Sequence, residues 1–214
     1  HVRLTVHEAM AVHLATRLLA AWSDKHNPHA GAALRKLGQA LERLAPRVAR
    51  HLVASADVMD GAAQRQDAAY LRVLETLTRA WSDGQMTRVW HHLDDGRVFE
   101  YDFAPYFVEP YLWGHTSHTI GLRRPPGEVR TFKLERIQRI ELLPERYEIP
   151  ATFDPRTYLA SAWGIWTGEK PQEVILRFHP RVRARVLETR WHRDEHVEER
   201  EDGSVIWRAP IAEP

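Results

Sequence analysis

The hydrophobic period changes near Asp83–Gly84, and that change limits what this chain can fold into. Before that point apolar residues recur three and four places apart, the signature of amphipathic helices. After it they alternate, and turn-forming pairs multiply, the signature of short antiparallel strands. A helical region must therefore precede a hairpin-built β region, which makes the chain α+β.

The helical region has its own punctuation. "LTVHEAMAVHLATRLLAAW" opens on Thr5 with Glu8 three places on, the pattern of a reciprocal helix cap. Met10, Leu14, Leu18 and Trp22 then follow at four-residue spacing, until "KHNPHAG" breaks the helix. Leu34, Leu37, Leu41 and Leu44 form a second stripe, Pro46 restarts the helix, and Val48 and Leu52 extend it. A third segment runs from about Gln64 to Trp81 on Leu71, Leu74 and Leu77. These stripes are read as faces that pack within the chain rather than as a dimer seam.

In the β region, "MTRVWHHL", "DDG" and "RVFEYDFAPYFV" give a hairpin turning at Asp95–Gly96. "HTSHTIGL" and "EVRTFKLERIQRIELL" give two more strands joined by "RRPPG". "DPRTYLASAWGIW" holds a short helix, with Asp154 as cap and Pro155 in its first position. The tail reads β-α-β-β: "EVILRF", a helix starting at Pro180, and a hairpin turning at Asp202–Gly203. The divisions are 1–83 for the helical linker or dimerisation region, 84–144 for the β region, 145–171 for a connecting segment and 172–214 for the tail.

Composition excludes several classes. With 43% apolar and 28% charged residues the chain is globular rather than disordered. No apolar run approaches ~18 residues, so no membrane partner is expected. The chain contains no cysteine, which rules out disulfides and thiolate metal sites and fits a cytoplasmic setting. No signal peptide is read at the N-terminus. A net charge of +1 does not by itself announce a nucleic-acid binder. The 13 histidines and 8 tryptophans are many, but scattered His is usually surface and Trp usually core.

The chemistry-bearing pattern is "RTFKLERI". Read as one strand over Arg130–Ile137, it puts Arg130, Phe132, Leu134 and Arg136 on one face, two guanidinium groups flanking an apolar pair. Arginine forks onto phosphate and stacks on bases, and Phe132 offers an aromatic surface beside it. The alternative is that the arginines pair with Glu100, Glu128 or Asp102 on neighbouring strands. His91 and His92 are adjacent and face opposite ways, and His115 and His118 also point apart, so no metal site is expected.

From Thr87 to Ile137 the chain resembles a WYL domain. "RVWHHLDDGRVFEYDFAPYFVEPY" is similar to the family's first strands, and "VRTFKLERI" to its closing Arg-x-Phe-x-x-x-Arg-Ile strand. The first helical segment resembles the linker that precedes such domains, and the tail resembles their C-terminal extension. The family's Trp-Tyr-Leu positions fall at Ser117, His118 and Thr119, and its first-strand tyrosine at His91 or Trp90. The resemblance implies a small SH3- or Sm-like barrel between the helical region and a partial ferredoxin-like extension. It implies the ligand-sensing part of a transcription regulator, not an enzyme, binding single-stranded nucleic acid or a nucleotide and needing no cofactor. Arg130 and Arg136 would hold phosphate; His118, Ser117 and His91 would contact base or sugar; Arg88 and Arg123 are further candidates. It also implies a homodimer that reads operator DNA through an N-terminal winged helix-turn-helix, so the chain is expected to be part of a longer protein. Two other readings stay open: a stand-alone RNA- or DNA-binding accessory protein of an antiphage system, and a nuclease using His91 and His118 as acid and base.

Overall fold

The structure is a computed structural model that describes residues 4–61, 67–93, 95–111, 115–159, 171–192 and 194–212. The chain divides into two compact units, His1–Glu148 and Ile149–Pro214. Both are antiparallel in their sheets, and the chain is α+β. Among the described residues no helix is long and apolar enough to cross a membrane.

The first unit opens with α1 (Val6–Trp22), α2 (Pro28–Leu41), α3 (Pro46–Asp60) and α4 (Ala68–Asp83). Thr5 Oγ1 accepts from the Glu8 amide at 3.2 Å and Glu8 Oε2 accepts from the Thr5 amide at 2.6 Å, the cap anticipated from the sequence. Leu34, Leu41, Leu52 and Met59 form the α2–α3 core, with Leu37 and Val48 packed against it. The α1 stripe departs from expectation. Leu14 and Leu18 are 60% and 50% exposed, and the side chains that α1 buries are Ala9 and His13. Spacing shows that a helix has an apolar face but not which neighbour covers it. Leu44 is also exposed, because it lies in the turn after α2 rather than on the helix.

Gly84 ends α4 in the left-handed conformation at φ 62°, which glycine adopts without steric cost. Its amide donates to Ala80 and Trp81, and its carbonyl accepts from the Tyr147 amide at 2.9 Å. The change of period in the sequence is thus a change of direction in the chain.

Five strands follow: β1 (Gln85–His92), β2 (Val98–Tyr111), β3 (Thr116–Arg124), β4 (Glu128–Lys133) and β5 (Ile137–Arg146), in the order β4-β3-β2-β1-β5. Arg130–Ile137 is not one strand. β4 ends at Lys133, a 3-10 turn takes Leu134–Arg136, and β5 begins at Ile137. That turn joins the two edge strands. Flat, five strands would hold their edges about 19 Å apart, while the four steps from Lys133 to Ile137 reach at most about 14 Å. The sheet must therefore curl. The ring centroids of Phe132 on β4 and His91 on β1 accordingly lie 4.7 Å apart, although three strand spacings separate the two strands in the sheet order. No ladder joins β4 to β5, so where a small SH3- or Sm-like barrel was expected the sheet curls but does not close. Tyr70, Val73 and Leu77 of α4 pack with Val89, Phe103, Phe132, Leu134, Ile137 and Ile140 on the face where those rings meet.

The second unit contains a short helix α5 (Pro155–Tyr158), capped by Asp154 through the Arg156 amide at 3.0 Å. The remainder of the expected helix, 160–170, lies outside the described residues. β6 (Pro171–Phe178), β7 (His196–Glu199) and β8 (Val205–Ala212) then form a three-stranded sheet in the order β6-β8-β7, with α6 (Arg183–Leu187) between β6 and β7 in the chain. The helix read from Pro180 begins as a 3-10 turn over Pro180–Val182. Glu195 anchors this unit. Its Oε2 accepts from the buried Trp207 indole at 2.6 Å and from the Trp191 and His192 amides at 2.8 and 2.9 Å. Burial raises its pKa, but those hydrogen bonds and Arg190 outweigh it and hold the carboxyl below its ordinary range.

Candidate nucleic-acid interface

Register decides which of the sequence-derived site residues can act together. Along β3 the side chains alternate, so Ser117, Thr119, Gly121 and Arg123 share the face that carries Phe132, while His118 and Arg124 lie on the other. The pairings Thr87↔Phe103↔Arg123 and His91↔Phe99 extend the Phe132 face across β2 and β1.

One end of that face is a row of rings and guanidinium groups. The planes of Phe99 and Tyr101 are 9° apart, with centroids at 6.2 Å. Tyr101 and Phe132 are 15° apart at 5.7 Å. The Arg123 guanidinium carbon stands 4.9 Å from the Tyr101 centroid and that of Arg97 stands 5.2 Å from the Phe99 centroid, both within cation–π range. Arg123 and Arg130 converge on one carboxylate: Glu128 Oε2 lies 3.4 Å from Arg123 and 2.6 Å from Arg130. Phe99, Arg97 and Arg130 are exposed, whereas Phe132 and His91 are buried behind them. The arrangement offers π-faces at the surface, with two cations held side by side by an exchangeable carboxylate.

Of the residues singled out from sequence, Arg130, Arg123 and His91 belong to this row. The others fall elsewhere. Arg136 sits in the 3-10 turn and acts electrostatically on His118, so it does not flank Phe132 and Leu134 in the way a continuous strand would require. His118 is cross-strand from Glu109 and Lys133 and edge-on to Tyr111 at 5.8 Å. Ser117 hydrogen-bonds the Tyr70 phenol on the opposite side of β3. Arg88 is committed to Asp102 at 2.8 Å and Glu100 at 3.3 Å, as Arg130 is to Glu128. Arg130–Glu128 is one of the ion pairs that the sequence had left as the alternative for Arg130 and Arg136, whereas Glu100 and Asp102 pair with Arg88 instead. His91 and His118 lie on opposite faces, which does not bring them together as an acid and base on one substrate. Among the described residues no three His, Asp or Glu side chains are grouped to hold a metal ion.

The row also includes Phe99, Tyr101 and Arg97, which the sequence reading passed over. Their signal was present: in "RVFEYDF" an aromatic residue stands at every second place, putting three rings on one face of a strand.

His118 has an environment of its own. Burial, then Lys133 and Arg136, push its imidazole down to about 4. Its ring signals are therefore expected to titrate near pH 4 by NMR, and a midpoint near the ordinary ~6.5 would contradict the burial. Because the folded pKa lies below the unfolded one, the unfolded chain takes up the proton first. Stability is whole above ~6.5 and falls as pH drops toward 4.

No family model matches the chain, and no curated protein matches it. Among solved structures the chain is similar to proteasome accessory factor B/C (PafBC) of Arthrobacter aurescens, at 16% identity and a TM-score of 0.36. The match covers 86% of this chain and 30% of that one, so the chain spans less than a third of that protein's length. A likeness of that degree assigns neither a family nor a ligand.

Proposed function

We propose that this chain is the ligand-sensing part of a WYL-type transcription regulator, and that its ligand is single-stranded nucleic acid or a nucleotide held on the Phe99–Tyr101–Arg123–Arg130 row. The observation that carries the reading is the convergence of Arg123 and Arg130 on Glu128 beside near-parallel rings. Bases stack on aromatic faces whatever their identity, and paired guanidinium groups suit phosphate. A phosphate arriving there replaces the Glu128 carboxylate, so little new desolvation is required. On this reading ligand binding alters the activity of a DNA-binding domain elsewhere in the protein. The regulator is a homodimer, for which the exposed Leu14 and Leu18 of α1 are available.

Fluorescence anisotropy with a labelled dT12 oligonucleotide, an RNA of the same length and a cyclic dinucleotide tests this. At least one probe is expected to bind saturably, and Arg123→Ala and Arg130→Ala are each expected to weaken it about tenfold, the scale of one charge-assisted contact. Arg88→Ala, off the row, is expected to change little. Absence of binding to all three probes would sink the reading.

A further inference from the structure

The first unit also contains a cavity that the aromatic row does not use. A cavity of about 460 Å³ lies between α1, the α2–α3 pair, α4 and the paired ends of β2 and β3. Cavities of roughly 300–1,000 Å³ are the size that encloses small molecules. Its walls are apolar, with Leu19, Met59, Leu74 and Val108 among them. Among the described residues no Asp or Glu lines it, whereas Arg17, Lys25 and His26 do.

The cations differ in how they are committed. Lys25 Nζ is held by Asp67 at 2.6 Å, and the same Asp67 caps α4 through the Ala69 and Tyr70 amides. His26 Nε2 stands 3.9 Å from Asp60, itself paired with Arg35. Arg17 is half-buried and has no carboxylate partner among the described residues. A half-buried guanidinium that borders an apolar space without a counter-ion is poised to take an anion. The Tyr70 and Ser117 hydroxyls, hydrogen-bonded to one another, add a polar point on the sheet side.

We infer that this cavity binds a small organic anion: an aromatic or aliphatic body enclosed by the apolar walls, with its carboxylate or sulfonate on Arg17. Such a ligand bridges the helices and the strand pair whose other ends carry Tyr101 and Arg123.

Two probes that differ only in charge test this on the whole chain. 8-Anilino-1-naphthalenesulfonate carries the anion, and N-phenyl-1-naphthylamine is the same ring body without it. The sulfonate is expected to bind at one per chain. Arg17→Gln is expected to weaken it at least tenfold while leaving the neutral amine unchanged, and Ala20→Phe, which fills the cavity, to weaken both. Circular dichroism checks that each variant is folded; should Ala20→Phe not fold, the Arg17→Gln ratio decides alone. The inference is overturned if the sulfonate shows no saturable binding, if Arg17→Gln affects both probes equally, or if a folded Ala20→Phe affects neither. Oligonucleotide affinity of Arg17→Gln should match wild type, so the outcome is independent of whether the aromatic row binds nucleic acid.

Discussion

Gly121→Val is expected to destabilise the first unit by about 3 kcal/mol, at the upper end of what overpacking a filled site costs. Gly121 does not need a special backbone conformation; it needs to have no side chain. A Cβ built there would collide with the Ala104 carbonyl oxygen and stand 2.7 Å from Phe103 Cζ. The nearest of these is backbone and cannot swing away. Gly121 faces Pro105 at the point where the β2–β3 register shifts, between Pro105 and Phe107, and a bulge there sharpens the bend of the strand. The close approach therefore occurs where the sheet curls. Urea unfolding is the measurement: a midpoint lowered in proportion to that loss is expected, against a total stability of about 5–15 kcal/mol for a domain. Wild-type stability for Gly121→Val would mean that β2 and β3 do not approach so closely.

Tyr101→Ala is expected to weaken binding of a single-stranded oligonucleotide by about 1–3 kcal/mol, the scale of one base stacked on an aromatic ring. That is roughly 5- to 150-fold in affinity. Tyr101 is the middle ring of the row, between Phe99 and Phe132 and under the Arg123 guanidinium. Its loss removes a platform and frees the cation that rests on it. Because Tyr101 also packs against the core, Tyr101→Phe is the companion variant. It keeps the ring and drops the hydroxyl, and near wild-type affinity is expected for it. Anisotropy titrations of both distinguish stacking from a hydroxyl contact. Unchanged affinity in Tyr101→Ala would remove the row from the site.

Much of the architecture could be read from local pattern. The Thr5–Glu8 cap, the Leu34–Leu52 stripe, the reversal at Gly84 and the Asp95–Gly96 hairpin each depend on neighbours within a few residues. The break at Leu134–Arg136 could not be seen this way. No glycine or proline marks it, and Phe132 and Leu134 stay buried through it, so the alternating pattern continues across a corner. The α1 stripe misled for the opposite reason: its spacing is regular, yet nothing local says that Leu14 and Leu18 face outward. The site was legible only in fragments. Arg130 and Arg123 were identifiable as arginines on strands, but their meeting at Glu128 is a matter of register between β3 and β4. Ser117 and His118, adjacent in sequence, were assigned one role and lie on opposite faces because strand side chains alternate.

If Arg123 and Arg130 hold the phosphates of a single-stranded ligand, the salt dependence of binding must register both of them. Each phosphate neutralised on a single strand contributes about 0.7 to the slope of log K against log salt. The double variant Arg123→Ala/Arg130→Ala should therefore bind more weakly and with a slope shallower by about 1.4. A weaker complex with an undiminished slope would show instead that the two guanidinium groups shape the sheet and do not hold phosphate.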